Sequence, residues 1–350
     1  MITELVEVGK RWRNTNYPLR LEAIHTAASE FCLSAASFSL ALDWMFSFWN
    51  EEIISKLYYA NPHKNISSAV QILAGNTPAV ITQAFLQGAI LAVPQMIKTP
   101  SLQSQFPRLL LDSFRQVSSA LAELFYLDNW QNNLSALYKE IGKTDLVIAY
   151  GSDETLASLK IYCSPACVFV THGHAVSCAV IFKEAANKES LQRLAWDMLS
   201  YDQRGCLSPR VTFIEEGGEI HPEQCAKIFS EDILPPIAER FPRGGLFPGE
   251  ATAIMQRKAL YRFKGMVYSG EDWAVCYDET LIWPEEILPR FMPFKPFSNR
   301  KELKDVLQSV KDYLISVGVA GSLLEVRISD YPKLQHVCTL GNMQKQLLLR

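Results

Sequence analysis

The sequence predicts an α/β protein with a doubly wound nucleotide-binding domain and a second α/β domain. Three observations carry that expectation. From Val70 onward, short apolar runs of strand length alternate with longer amphipathic runs, as a parallel sheet with crossover helices requires. The phrase "TDLVIAYGSDETL" (144–156) drives a buried strand into Ser152 and Asp153, both good N-cap residues for the helix that follows. At 350 residues and 48% hydrophobic, the chain can bury two cores.

Taken in order, residues 1–60 read as helical, with "YYANPHKN" (58–65) as the stop. Within them "FCLSAASFSLALDWMFSFW" (31–49) carries Asp43 and spaced serines, which suits an amphipathic helix rather than a membrane span. The uncharged run 65–97 is long enough to cross a bilayer, yet it holds Asn76, Pro78, Gln83, Gln87 and Pro94. A lipid-exposed helix pays heavily for such residues. A strand at "VQILAG" (70–75), a helix at 79–93 and a strand at "PQMIK" (94–98) account for the same run, and a soluble chain is expected.

Residues 101–127 read as helix, with Pro107 as a kink or early break. Strands are expected at 146–151, 167–171 and 176–182, and a helix at 188–202. Beyond that come a strand at 210–216, a helical stretch over 222–242 interrupted by Pro235 and Pro236, a strand at 272–279 and an amphipathic helix over 299–318. "PFKPFSN" (293–299) reads as a surface connection. The domain plan is 1–200 for a helical segment plus the nucleotide-binding domain, 201–330 for the catalytic domain, and 331–350 for a C-terminal segment.

Charge and cysteine usage exclude several classes. A net charge of −3 with both signs dispersed offers no basic stripe for nucleic acid. Eight cysteines without a CxxC pair do not form a disulfide framework, and a reducing cytoplasm suits them. The N-terminal "MITELVEVGKRWRN" carries Glu4 and Glu7 and no apolar core, so it is not a secretory signal. Six histidines are dispersed, and His172 with His174 lack a third ligand at metal-binding spacing.

Four places carry possible chemistry, each with a bland alternative. Asn76 in "AGNTP" is an amide donor at a strand end or an ordinary turn residue. Lys98 in "IKTPS" ends a strand, where ligands of open α/β sheets collect, or is simply solvated. Gly151 and Ser152 open a helix whose free N–H groups and dipole suit a pyrophosphate, although this is not the full GxGxxG pattern. Cys206 in "YDQRGCLSPR" (201–210) is a small core residue or a thiolate lowered by Arg204 and Arg210.

In that order the four form a constellation that resembles the aldehyde dehydrogenase superfamily. Within it, "LAGNTP", "IKTPS", "VIAYGSDETL", "THGHAVSCAVI", "YDQRGCLSPR", "DWAVCYDE" and "EVRISDYPKLQHVCTLGNMQ" resemble the fatty acyl-CoA reductase (LuxC-type) family, over roughly 70–344. The resemblance implies an aldehyde dehydrogenase-like fold and reduction of an acyl-CoA, or another acyl thioester, to the aldehyde through an acyl-cysteine. The expected cofactor is NADPH, with NADH as the other option.

By the same resemblance Cys206 is the nucleophile, and the Asn76 amide and Cys206 N–H hold the oxyanion. Lys98 holds the adenosine ribose or its 2′-phosphate, and Gly151 and Ser152 lie against the pyrophosphate, with Asp153 turned away. Hydrolytic members carry a glutamate ahead of the nucleophile to activate water; here the phrase is "THGHAVS", without a carboxylate, which favours reduction. His174 stands nearest that role, as a proton donor or as a structural histidine. No counterpart is found for the glutamate that holds the nicotinamide ribose, and relatives are expected to run on past "LGNMQ". A homo-oligomer and an acyl-protein synthetase or acyl-transferase partner are implied. An oxidative aldehyde dehydrogenase, and a non-catalytic binder of nucleotide or acyl thioester, are the rival readings.

Overall fold

The computed structural model describes residues 1–61, 65–75, 77–130, 133–285 and 288–345. The chain separates into two compact units, the first comprising 1–31 and 38–174, the second 32–37 and 175–345. The chain passes from one to the other between His174 and Ala175, whereas the sequence suggested a boundary near residue 200. That position falls inside the second unit, because the strand before it and the strand after it pair with each other.

The first unit begins with helices α1 (Ile2–Arg13), α2 (Pro18–Thr26), α3 (Ala35–Ser47) and α4 (Glu51–Ala60). Then follow β1 (Ala69–Ile72), α5 (Pro78–Leu91), β2 (Gln95–Lys98), α6 (Gln105–Val117), α7 (Ser119–Ala122), β3 (Phe125–Asp128), α8 (Leu134–Ile141), β4 (Leu146–Tyr150), α9 (Asp153–Lys160) and β5 (Val168–His172). Among the described residues the strands form one parallel sheet in the order β3-β2-β1-β4-β5, the doubly wound arrangement. The run 65–97 is β1–α5–β2 as expected, and among the described residues no helix is long and apolar enough to cross a membrane.

Two expectations for 101–127 change. Pro107 lies in the first turn of α6, where its missing N–H would have had no helical acceptor, so it starts the helix rather than kinking it. "FYLD" is the edge strand β3, not helix: Phe125 enters an aromatic cluster, stacked on Phe85 at 4.9 Å and edge-on to Phe114 at 5.5 Å. Trp12 anchors the N-terminal helices, stacked on Phe46 at 5.1 Å with its indole N–H donated to Ser113 Oγ at 2.8 Å.

The second unit contains β6 (Val176–Ile181), α10 (Lys188–Leu199), β7 (Thr212–Glu215), α11 (Pro222–Ile228), α12 (Leu234–Arg240), α13 (Glu250–Lys264), β8 (Met266–Ser269), β9 (Ala274–Tyr277), β10 (Phe291–Phe297), α14 (Arg300–Gln308), β11 (Leu314–Ala320) and β12 (His336–Thr339). The sheet order is β12-β11-β6-β7-β10-β9-β8, parallel except for the β8–β9 pair. Strand β12 belongs to this sheet, so 331–345 is part of the second unit rather than a separate segment. The expected helix over 299–318 stops at Gln308, and the predominantly apolar, β-branched "LISVGVA" becomes the largely buried strand β11.

The sharpest correction is β10. The "PFKPF" segment is a wholly buried central strand, not a surface connection. Two prolines are tolerated because the ladder is staggered: β10 pairs with β9 over Phe291–Phe294 and with β7 over Phe294–Phe297. Alternate residues address opposite neighbours, and the carbonyls of Phe294 and Phe297 accept from Asp278 on the β9 side and Glu216 on the β7 side. Pro293 therefore faces β7 before that ladder starts, and Pro296 faces β9 after that ladder has ended.

Phe114 is fully buried among Trp49, Phe85 and Phe125. Phe114→Ala is expected to destabilise the first unit by about 3–5 kcal/mol, read as a lowered urea midpoint. A midpoint within error of the parent would show that the cluster repacks around the cavity.

Candidate active site

In the first unit, three expected site residues sit on one edge of the sheet. Lys98 ends β2, Gly151 and Ser152 follow β4, and β1 lies between them, with Ile72 opposite Lys98 on one side and Ala149 on the other. This is the carboxyl end of the strands at the point where the strand order reverses. Asn76, which follows β1, lies outside the described residues.

Lys98 is half-buried, and among the described residues its ammonium makes no hydrogen bond or ion pair. Burial alone pushes its ammonium below the ordinary lysine value. Ser152 is the N-cap of α9, its Oγ accepting from the Thr155 N–H at 3.3 Å. A side chain on Gly151 would press on Thr155 at 3.3 Å, so glycine keeps this turn low against the helix start. The Asp153 carboxylate lies beside Gly173, 2.7 Å from where a Cβ would stand there, so it is turned toward the β5 end and not along the helix axis. An unpaired ammonium, a low glycine turn and a capped helix start on one sheet edge are a donor set that fits a dinucleotide. Among the described residues no group of three or more His, Cys, Asp or Glu side chains is placed to hold a metal ion.

His174 is exposed on the three-residue link between β5 and β6. Its neighbour His172 stacks on Tyr150, centroids 4.3 Å apart and rings within 13° of parallel.

In the second unit, Cys206 sits in a tight turn just before β7, with the Ser208 N–H donating to the Gly205 carbonyl at 3.0 Å. Ser177 at the start of β6 clamps this turn from below. Its Oγ donates to the Cys206 carbonyl at 2.8 Å, and its own carbonyl accepts from the Arg210 N–H at 2.9 Å. Gln344 reaches it from the C-terminal side, donating to Ser208 Oγ at 2.9 Å, on a turn held by the buried Asp197 carboxylate through the Met343 N–H at 3.0 Å.

The chain enters the turn through a strained stretch. Tyr201, Asp202 and Gln203 all have left-handed backbones, with φ of 53°, 52° and 61°. Asparagine and aspartate tolerate this region; tyrosine and glutamine do so only when their surroundings insist. Here Asp202 is fully buried and paired with the equally buried Arg290, whose Nε donates to Oδ1 at 2.7 Å. Its second oxygen accepts from the Gly244 N–H at 2.9 Å. The Gln203 amide donates to the Pro209 and Phe291 carbonyls at 2.7 and 3.1 Å. Sequence reading missed both Arg290 and Asp202, which lie 88 residues apart without a local signal linking them.

The thiol itself departs from expectation. Burial raises the Cys206 pKa above the ordinary thiol value, against the pull of Arg210 and of the Cys206 and Leu207 N–H groups turned toward the sulfur. Arg204 does not contribute: its guanidinium is engaged by Glu250 at 2.5 and 2.9 Å, donates to the Gly245 carbonyl at 3.1 Å and lies over the Phe247 ring.

Comparison with known proteins places the chain. The profile of the acyl-CoA reductase (LuxC) family matches residues 48–346. A search of curated proteins returns no match. Among solved structures, an oxidoreductase from Marinobacter aquaeolei is similar with a TM-score of 0.73 at 14% identity, over 97% of this chain and 78% of that one. A salicylaldehyde dehydrogenase from Pseudomonas putida G7 has a TM-score of 0.71 at 11% identity, covering 97% and 77%. A succinic semialdehyde dehydrogenase from Streptococcus pyogenes, solved with NADP+, gives 0.71 at 11% identity, covering 97% and 81%. At such identities the likeness establishes the aldehyde dehydrogenase fold.

Arg290→Ala leaves the Asp202 carboxylate buried without its partner. It is expected to cost about 3–5 kcal/mol, seen as a lower urea midpoint for the second unit. An unchanged midpoint would mean that the left-handed stretch holds itself without the ion pair.

Proposed function

The chain belongs to the acyl-CoA reductase (LuxC) family, and from that premise we propose that it reduces a fatty acyl thioester to the aldehyde at the expense of NADPH, through a thioester on Cys206. The observation that carries the reading is the Cys206 turn. A cysteine is held in place by Ser177 and Gln203, with two backbone N–H groups directed at its sulfur.

The Cys206 thiolate attacks the carbonyl carbon of the acyl donor, the new C–S bond forms, and the donor thiolate leaves with a proton from solvent. The Cys206 N–H, with the Asn76 amide, steadies the negative oxygen of each tetrahedral stage; removing one such donor costs on the order of 100-fold in rate. When bound, a nicotinamide cofactor would supply the hydride that brings the acyl carbon to the aldehyde level. Cys206 then departs as the thiolate, ready for another acyl group.

On the first unit, Lys98 holds the adenosine ribose or its 2′-phosphate, and Gly151 with Ser152 offers the start of α9 to the pyrophosphate. The absence of a carboxylate in "THGHAVS" fits a site that keeps its thioester from water until reduction.

Mixing the protein with a long-chain acyl-CoA and recording intact mass tests the reading. Wild type should gain one acyl group, Cys206→Ala none, and NADPH should clear the adduct with release of aldehyde. An adduct that persists with both NADPH and NADH would mean acyl capture without reduction. No adduct with any acyl donor would return Cys206 to a structural role.

The pH dependence has a defined sign. Because the thiol pKa is raised, the thiolate is a minor form at neutral pH. The rate of adduct formation should therefore climb by about tenfold per pH unit above pH 7, until the pH reaches that raised value. A flat profile across this range would exclude attack by a free thiolate.

A further inference from the structure

Four residues beyond the nucleophile, an arginine stands where an arginine is costly. Arg210 is 8% exposed. Its guanidinium makes a single long hydrogen bond, from Nη2 to the Ala175 carbonyl at 3.4 Å. Nε and Nη1 are buried without any partner among the described residues. The other deeply buried arginines are matched with carboxylates: Arg20 with Asp43, Arg204 with Glu250, Arg290 with Asp202 and Asp272. A buried cation without an anion loses its hydration and recovers little. Desolvation is severe enough to bring the Arg210 pKa down to about 10.

One group can complete it. The charges of Arg210 and of an ionised Cys206 favour each other: the guanidinium pulls the thiol down and the thiolate holds the guanidinium up. The other charges around the turn are committed or distant in role. Arg204 faces Glu250, and Asp202 faces Arg290. The start of β6 presents the neutral Ser177, and the C-terminal turn presents the neutral Gln344.

We propose that Arg210 is the counter-charge of the Cys206 thiolate: a positioning residue that stabilises the ionised sulfur inside the turn and so sets how fast the nucleophile forms. This rests on the reading of Cys206 as the nucleophile and deepens it. On ionisation the thiol proton passes to solvent, and the guanidinium keeps its charge throughout. When the sulfur is acylated and neutral, Arg210 is left unpaired, which favours the return of the thiolate as aldehyde is released. The Ser177 clamp keeps the two groups together, because it holds the Cys206 carbonyl and the Arg210 N–H at once.

The test is the pH profile of Cys206 alkylation by iodoacetamide, followed by peptide mass, in wild type, Arg210→Lys, Arg210→Gln and Arg210→Met. Removing the charge should raise the alkylation midpoint by about one pH unit, slowing the reaction near pH 7.5 by about tenfold. Arg210→Lys should retain most of the wild-type profile. Thermal unfolding run alongside should show the neutral variants at least as stable as wild type, since an unpaired buried charge has gone.

A midpoint unmoved in the neutral variants overturns the proposal, as does a shift equally large in Arg210→Lys. Should one neutral variant fail to fold, the other gives the same comparison. Acylation of wild type by long-chain acyl-CoA, measured in parallel, separates the two readings. An acyl adduct with an Arg210-independent midpoint removes this proposal alone. An Arg210-dependent midpoint without an adduct leaves the ion pair standing and removes the acyl-transfer role.

Discussion

The second unit is organised around one buried guanidinium. Arg290 donates to Asp202 at the nucleophile turn, to Asp272 ahead of β9 at 2.8 Å, and to the Phe241 carbonyl at 2.6 Å. The two carboxylates then accept from the backbone N–H groups of Arg243 and Gly244 at 2.6 and 2.9 Å. Arg290 itself adopts a left-handed backbone, φ 51°, immediately before β10. One side chain therefore fixes where the central strand begins, where the 241–244 segment lies and how the chain turns toward Cys206. Well-packed apolar groups in place of such a pair often keep a core stable, yet no apolar group would fix three backbone segments at donor–acceptor distances. Its value lies in geometry more than in stability.

That geometry serves a thiol held against its own solvation. Burial penalises the thiolate, and the turn answers with two N–H groups and the Arg210 charge without fully offsetting the penalty. A nucleophile so balanced is mostly protonated at rest, which protects it from stray oxidation and alkylation. It is also more nucleophilic, once ionised, than a thiolate of low pKa. On the acyl-transfer reading proposed above, a site that must hold an acyl group until reductant arrives gains from both properties.

Much of the first unit was legible in the sequence, because its signals are local. A strand, a glycine, a capping serine and a helix follow one another in "LVIAYGSDETL", and each residue does in the structure what its chemistry suggests. What escaped was non-local. Strand β3 is short and sits where helix propensity reads equally well, and only Phe85 and Phe114 decide it. Strand β10 carries two prolines that local rules place in a loop; the staggered ladders that excuse them depend on β7 and β9, far away in sequence. Cys206 was singled out as the candidate nucleophile through the company its motif keeps along the chain. Its supports, Asp202 with Arg290 and Gln203 with Phe291, were not, because contacts spanning 88 residues leave no periodicity to read. Arg204 and Arg210 looked equivalent in sequence, and only the Glu250 carboxylate tells them apart.

The two sheets also place their candidate chemistry at opposite ends of their strands. In the first unit Lys98, Gly151 and Ser152 lie at carboxyl ends, where crossover loops open onto helix starts and anions are welcomed. In the second, Cys206 lies on the turn that enters β7, beside the amino end of β6. A rule of thumb about carboxyl ends finds the first group and would pass over the second. The difference follows from what each group needs. A dinucleotide needs a wide edge with several helix starts and a free cation. A nucleophilic sulfur needs a short, over-determined turn whose backbone cannot relax when charge appears, and the amino end of a buried strand supplies one: Ser177 and Arg210 lock it on the sheet side, Gln203 and Asp202 on the other. Strain in three consecutive left-handed residues is thereby held fixed by the fold.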